Sequence, residues 1–303
     1  MKRILLTLVL LPLPIIGTHA ANAAAVPARD TPLLGKYEST QDDFSRPTAV
    51  DISDDGAIAI ADSVARHIRV RRAGASEWIT LTGPDDHPLI APAGVTWVAD
   101  DALIVTDRAT DDFALFSLNE TQNAASNSDL AVTDAHGRVP AGLYRPAGVA
   151  SYLDRVAVAD TGNNRIVIAN AGNTIALDSR GSEPGQFKRP LDVAFDEQGR
   201  LYVADTGNHR IQWFNSQGEF QGEFGSLGSD PGQFAFPMGL AFDSKGNLYV
   251  ADTNNHRIQK IGPAQNVLQL IPEDPTQGNR IGHFNTPQGV AVDPYDNIFV
   301  ADT

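Results

Sequence analysis

The sequence predicts an all-β fold, a six-bladed β-propeller of four-stranded antiparallel blades with an incomplete last blade. Three observations predict it: a unit repeated six times, period-2 alternation inside each copy, and turn-forming residues at one fixed slot. The clearest copy, Arg189 to Phe214, reads RPLDVAFDEQGRLYVADTGNHRIQWF, and the next, Phe236 to Ile261, reads FPMGLAFDSKGNLYVADTNNHRIQKI. Aligned on the Asp that ends each Val-Ala-Asp-like step, the copies are marked by Asp62, Asp107, Asp160, Asp205, Asp252 and Asp302. A Pro opens each copy on the same beat: Pro47, Pro92, Pro146, Pro190, Pro237 and Pro287. The spacing of about 45–50 residues is that of one propeller blade.

Within the copy at Pro190, Leu191 to Phe195 alternates as a strand does, and Asp196-Glu197-Gln198-Gly199 turns the chain. Leu201 to Ala204 is a second strand, Asp205 to His209 a polar loop, and Ile211 to Phe214 a third strand. Ser216-Gln217-Gly218 then turns into a fourth near Phe220 to Phe224. The turn slot six residues before each anchoring Asp holds Gly56, Asp101, Asp154, Gly199, Gly246 and Asp296. These residue types tolerate the left-handed backbone that such a hairpin requires. The second residue after each Pro is Ala49, Gly94, Gly148, Asp192, Gly239 or Gly289, small in five of six cases, as a strand crowded near an axis demands. Three residues before each Pro stands an apolar side chain, Phe44, Leu89, Leu143, Phe187, Phe234 or Phe284, read as the filler between neighbouring blades.

The segments Val203 to Ile211 and Val250 to Ile258 resemble NHL repeats, and the resemblance extends from Phe44 to Thr303. Copy three keeps the pattern, copy one has Arg66-His67 in swapped order, and copy two has Asp111-Asp112 where His-Arg is expected. The resemblance implies a six-bladed propeller. It also implies that the peptide-amidating lyase, similar in repeat type, would hold zinc through histidines just after the blade-opening Pro. Here that slot holds Thr48, Ala93, Ala147, Leu191, Met238 and Gln288, none of the expected kind. The lyase's active-site arginine would correspond to Arg165, Arg210 or Arg257, but an arginine without the metal cannot activate water.

Residues 1–23 read as a signal peptide: Met1-Lys2-Arg3, an apolar run from Ile4 to Ile16, and small residues allowing cleavage after Ala20 or Ala23. The run is too short for a membrane span. Residues 24–303 form the propeller, so the expected location is periplasmic or secreted. The chain has no Cys, hence no disulfide, thiol nucleophile or thiolate metal site. Net charge is −14, or −16 without Lys2 and Arg3 (−14 − 2), which argues against nucleic acid as a partner. The longest irregular insert runs from Asn119 to Gly142. Leu34-Gly35 precedes Phe44 as Phe224-Gly225 precedes Phe234, so the N-terminal segment is expected to supply the outermost strand of blade six. The third strand of that blade is expected to be missing, which implies either a truncated sequence or a last blade with a gap and an exposed edge.

In such a meander the loops after second strands and the connections between blades share one face. Arg165, Arg210 and Arg257 there suggest a ring of anion or carbonyl binders; the structural alternative has each loop Asp accepting backbone N–H groups and each Arg pairing with a neighbouring blade. His209 and His256 suggest zinc, but their loops lie off the axis, and zinc needs each nitrogen at about 2.0–2.1 Å. Asp192 is the only charge beside the slots after Pro, and one carboxylate is not an acid–base pair. Asp196, Asp243 and Asp293 are half of a calcium-loop pattern but fit better as turn openers. The expected function is a binding or scaffolding module with its surface on the loop rim, served by Arg165, Asp192, His209, Arg210, His256, Arg257 and Gln288. The partner would be a protein or a small-molecule or carbohydrate ligand, and no cofactor is expected. The alternative is a metal-assisted lyase or lactonase with zinc or calcium in the central channel.

Overall fold

A computed structural model describes residues 44–83, 88–118, 142–170, 173–272 and 284–303, together with the backbone of two N-terminal strands, Leu5–Val9 and Leu34–Tyr37. The expected cleavage site and nearly all of the 119–142 insert lie outside the described residues. Strand follows strand in antiparallel hairpins. Blade 1 comprises Pro47–Ile52, Ile58–Asp62, His67–Arg71 and Ile79–Leu81. Blade 2 has three described strands, Pro92–Ala99, Ala102–Asp107 and Asp112–Ser117. Blades 3, 4 and 5 have four each and begin at Val149–Tyr152, Asp192–Phe195 and Pro237–Phe242.

Contiguous chain therefore builds five blades rather than six. The last is partial: Pro287–Val292 and Ile298–Asp302 are the only two strands that follow blade 5 among the described residues. The rest of that sheet comes from the N-terminal strands. Leu34–Tyr37 is outermost, as the sequence predicts. The third position is not vacant, however: Leu5–Val9 pairs with Ile298–Asp302 there, from inside the segment read as a signal peptide.

Packing between blades follows from the apolar positions that the repeat sets. Phe187 is fully buried among Ile166 and Ile168 of blade 3 and Val193, Leu201 and Phe214 of blade 4. Phe234 takes the same place between blades 4 and 5, and Phe284 between blade 5 and the last hairpin. Val50, Ile58 and Ile60 of blade 1 pack against Ala291, Phe299 and Ala301, which brings the end of the ring onto its start. The innermost strands approach closely. A Cβ added to Gly94 would lie 2.4 Å from the carbonyl oxygen of Ala147, and one on Gly239 would lie 2.6 Å from that of Gln288, both on the neighbouring blade.

The turn slot is left-handed in four copies, at Gly56, Gly199, Gly246 and Asp296. Blade 3 differs. Tyr152 pairs directly with Arg155, so the hairpin has only two turn residues and the positive φ falls on Leu153 (53°) instead of Asp154. In blade 2 Ala99 pairs with Ala102, and neither Asp100 nor Asp101 has positive φ.

Candidate functional site: the loop face and the axial channel

The repeat's polar signature forms a buried network at the loop end of each blade. Asp205 is fully buried because its strand ends inside the ring, and its carboxylate must find donors there. Oδ1 accepts the Lys188 N–H at 2.8 Å, while Oδ2 accepts from Asn208 (2.8 Å), Arg210 Nε (2.8 Å) and Gln212 (3.0 Å). Arg210 donates further to Glu223 (2.7 Å) and to the carbonyls of Glu183 (2.9 Å) and Gln186 (2.8 Å). In blade 5, Arg257 bonds Asp252 (2.8 Å) and the carbonyls of Ser229 (2.7 Å), Asp230 (3.0 Å) and Gln233 (3.1 Å). Arg165 is looser: its side chain is 19% exposed and it bonds Asp160 (2.6 Å) and the Gly142 carbonyl (3.1 Å). These arginines clamp the connection entering their own blade, not a neighbouring blade, and Arg210 and Arg257 are buried. Gln212 and Gln259, fully buried in the same network, were not singled out by sequence reasoning. Their signal is the shared Arg-Ile-Gln step.

The two histidines face the next blade's connection. His209 caps a 3-10 turn with φ 58°, and its Nδ1 accepts the Phe236 N–H at 3.1 Å. That requires the neutral ring, and burial and then Lys188 hold its pKa below the ordinary histidine value. His256 Nδ1 meets the carbonyl oxygen of Asn285. The same position in blade 3 is Asn164, which accepts from Arg189 N–H (2.9 Å), and in blade 2 Asp111, which accepts from Arg145 N–H (2.8 Å). Copy two therefore keeps this blade-to-blade link with a different acceptor. Among the described residues no group of three or more His, Cys, Asp or Glu comes together as a metal site would need.

Asp192 and Gln288 lie elsewhere, in the axial channel, a cavity of about 600 Å³ lined by the innermost strands. Gln288 is buried and donates to Thr303 Oγ1 at 2.8 Å. Asp192 accepts the Leu240 N–H of blade 5 at 2.8 Å. Gly148 makes room for it, since a Cβ there would stand 1.9 Å from Asp192 Oδ1. Burial pushes the Asp192 carboxyl up to about 7, against the N–H groups of Leu240 and Val193 and with help from the charge of Asp51. Asp51 also lines the channel; it accepts the Trp97 N–H at 2.8 Å, and burial pushes it up to about 6. Asp192 is thus not alone. Asp51 is the one charge in a column that elsewhere reads Thr96, Ala150, Ala194, Ala241 and Ala291, a signal available in the sequence.

The profile of the NHL repeat matches residues 187–214 and 234–261, which are blades 4 and 5 with the connections that enter them. The chain is an NHL-repeat β-propeller. The propeller is 51% identical over 41 residues to protein brain tumor of Drosophila melanogaster, covering 14% of this chain and 4% of that protein. It is 33% identical over 108 residues to protein lin-41 of Caenorhabditis elegans, covering 31% of this chain and 9% of that protein. It therefore spans less than a tenth of either relative. Among solved structures, a streptogramin B lyase superposes with a TM-score of 0.61 at 14% identity, over 86% of this chain and 91% of the lyase. A chain of a nidogen/laminin complex superposes with 0.60 at 16% identity, over 88% and 92%. At such identities these likenesses show the propeller fold alone.

Proposed function

We propose that this NHL propeller is an exported binding module that captures its partner on the loop face, around the mouth of the channel. The observation that carries this reading is the placement of exposed apolar side chains. Val64, Ile90, Tyr144, Leu227 and Phe236 all sit in loops or connections of that face, whereas Leu153 and Tyr295 occupy turns on the opposite one. Phe220 and Leu268 lie on outermost strands, so the loop face carries five of the nine exposed large apolar side chains among the described residues, and such surface favours an interaction site. The same fold occurs in a chain of a nidogen/laminin complex and in a streptogramin B lyase, so the fold by itself favours neither binding nor catalysis. The ring is read as six positions, the last completed by N-terminal strands. Signal cleavage would remove Leu5–Val9 from that sheet, so N-terminal sequencing of exported protein decides between leader and strand. The binding reading requires no cofactor.

A photo-crosslinking amino acid placed at Tyr144 or Phe236 in the producing cell tests the proposal, with Leu153 and Tyr295 as comparison sites. Defined adducts are expected from the first pair only. Adducts confined to the second pair, or equal from both, would refute it.

One observation favours a second reading, an enzyme with its site in the channel. Asp51 and Asp192 share one cavity with carboxyls raised toward neutrality, as acid–base catalysis uses. Zinc or calcium would need further ligands, and the described residues offer no cluster of them. Metal analysis of untagged protein, with turnover tested against a chelator, discriminates the two readings.

The loop face carries exposed charges of both signs. Arg46, Arg145 and Arg189 are exposed there together with Asp111, Glu183 and Asp230, so net charge alone does not exclude nucleic acid at this face.

A further inference from the structure

We propose that the loop-face mouth of the channel is a binding site for small, multiply charged oxyanions, with Arg108 as its anchor and Arg46, Arg145 and Arg189 around it. The proposal rests on the loop face being the binding face and names a ligand class for its centre.

Arg108 occupies a slot that the other blades use differently. Thr161, Thr206 and Thr253 stand there in blades 3, 4 and 5, and their hydroxyls donate to the carbonyls of Pro190 (2.6 Å), Pro237 (2.6 Å) and Pro287 (2.7 Å) on the next blade. In blade 2 that link is made instead by Thr106 to the Ala147 carbonyl. The packing of the ring does not need Arg108. Its half-buried side chain lines the channel, and its guanidinium has no hydrogen-bond or ion-pair partner among the described residues. Five N–H donors held in a rigid fork without acceptors suit a bidentate carboxylate or phosphate.

Three neighbouring guanidiniums share its charge, although Asp111 lies beside Arg145. Arg46, Arg145 and Arg189 each immediately precede a blade-opening Pro, which brings them to the same rim. Burial, and then the charges of Arg145, Arg46 and Arg189, pull Arg108 down to about 10, still cationic at neutral pH. Like charges gathered this way destabilise one another, and a bound anion removes that cost. At the far end the channel is lined by Asp54 and Asp100, with Asp51 and then Asp192 between them and the mouth. The field along the axis thus draws an anion to the loop mouth and opposes deeper passage. A cavity of about 600 Å³ holds a small molecule. Two or more negative charges match four guanidiniums better than one.

Calorimetric titration of the full chain with pyrophosphate and with citrate tests the site. Saturable one-to-one binding of at least one is expected, weakening with salt. Arg108→Ala should weaken it at least tenfold and Arg108→Lys less. Arg200→Ala, on the opposite face, should leave it unchanged. Without anion, Arg108→Ala should melt at the same or a higher temperature, because repulsion is relieved. Should Arg108→Ala fail to fold, a loss of affinity in Arg108→Lys still supports the site. No saturable binding, or binding that both Arg108 variants retain in full, overturns it. So does a single-stranded oligonucleotide that binds more tightly than either anion and equally well to wild type and Arg108→Ala. Crosslinks from Tyr144 and Phe236 report the partner separately, so either claim can fail alone.

Discussion

Arg210→Ala removes one member of a buried ion pair and leaves the other in place. Asp205 loses its charge partner but keeps the Lys188 N–H, Asn208 and Gln212. The Gln186 carbonyl keeps Gln212 Nε2 at 2.8 Å, whereas the Glu183 carbonyl loses Arg210. Breaking a buried pair from one side costs about 3–5 kcal/mol. Three surviving donors place this case at the low end, about 3 kcal/mol. Arg165→Ala provides the contrast: that side chain is 19% exposed against 7% for Arg210, so solvent screens its pair and the expected loss is about 1 kcal/mol. Equilibrium urea unfolding followed by tryptophan fluorescence measures both. If Arg210→Ala costs no more than Arg165→Ala, the clamp is not what holds the connection and the reasoning fails.

Gly94→Ala should destabilise by about 1–3 kcal/mol, because its Cβ meets the backbone oxygen of Ala147 and the inner strands must separate; a melting temperature unchanged from wild type would contradict this. Asp192 and Asp51 have folded-state pKa values of about 7 and about 6, above the ordinary 3.8, so the native state holds protons that the unfolded chain has released. Stability should therefore fall as pH rises from about 4 to about 7 and level off above. Asp192→Asn should flatten much of that decline in urea midpoints measured against pH, and an unaltered slope would show that Asp192 is ionised throughout. Removing the His209 ring as His209→Asn should be nearly neutral in urea unfolding, since Asn164 already makes the equivalent link in blade 3. A large loss there would mean that the imidazole does something the amide cannot.

The fold was legible because the repeat places the same residue at the same structural duty in each copy. Phe187 and Phe234 fill the gaps between blades, and Gly94 and Gly239 allow the inner strands to meet. The hairpin at Leu153 was misread because alignment on a column assumes equal turn lengths, and this hairpin is a residue shorter. The candidate site was legible only in part, for the opposite reason. Repeated residues such as Arg210 and Arg257 attract notice but serve the ring. The channel groups that differ from the repeat, Asp51 and Arg108, occur once each. They stand out only when one column is read for its exception. What closes the third position of the last sheet could not be read at all, because Leu5–Val9 has the composition of a leader.

The central claim is that the repeat's arginines are engaged inside the ring while those at the channel mouth are available to a ligand. Arginine-selective labelling of the native chain with phenylglyoxal, followed by mass spectrometry, tests it directly. Arg46, Arg145 and Arg189 should react first, with Arg210 and Arg257 protected until the protein unfolds and Arg165 between them. Labelling of Arg210 and Arg257 in the folded protein at the rate of Arg145 and Arg189 would contradict the account.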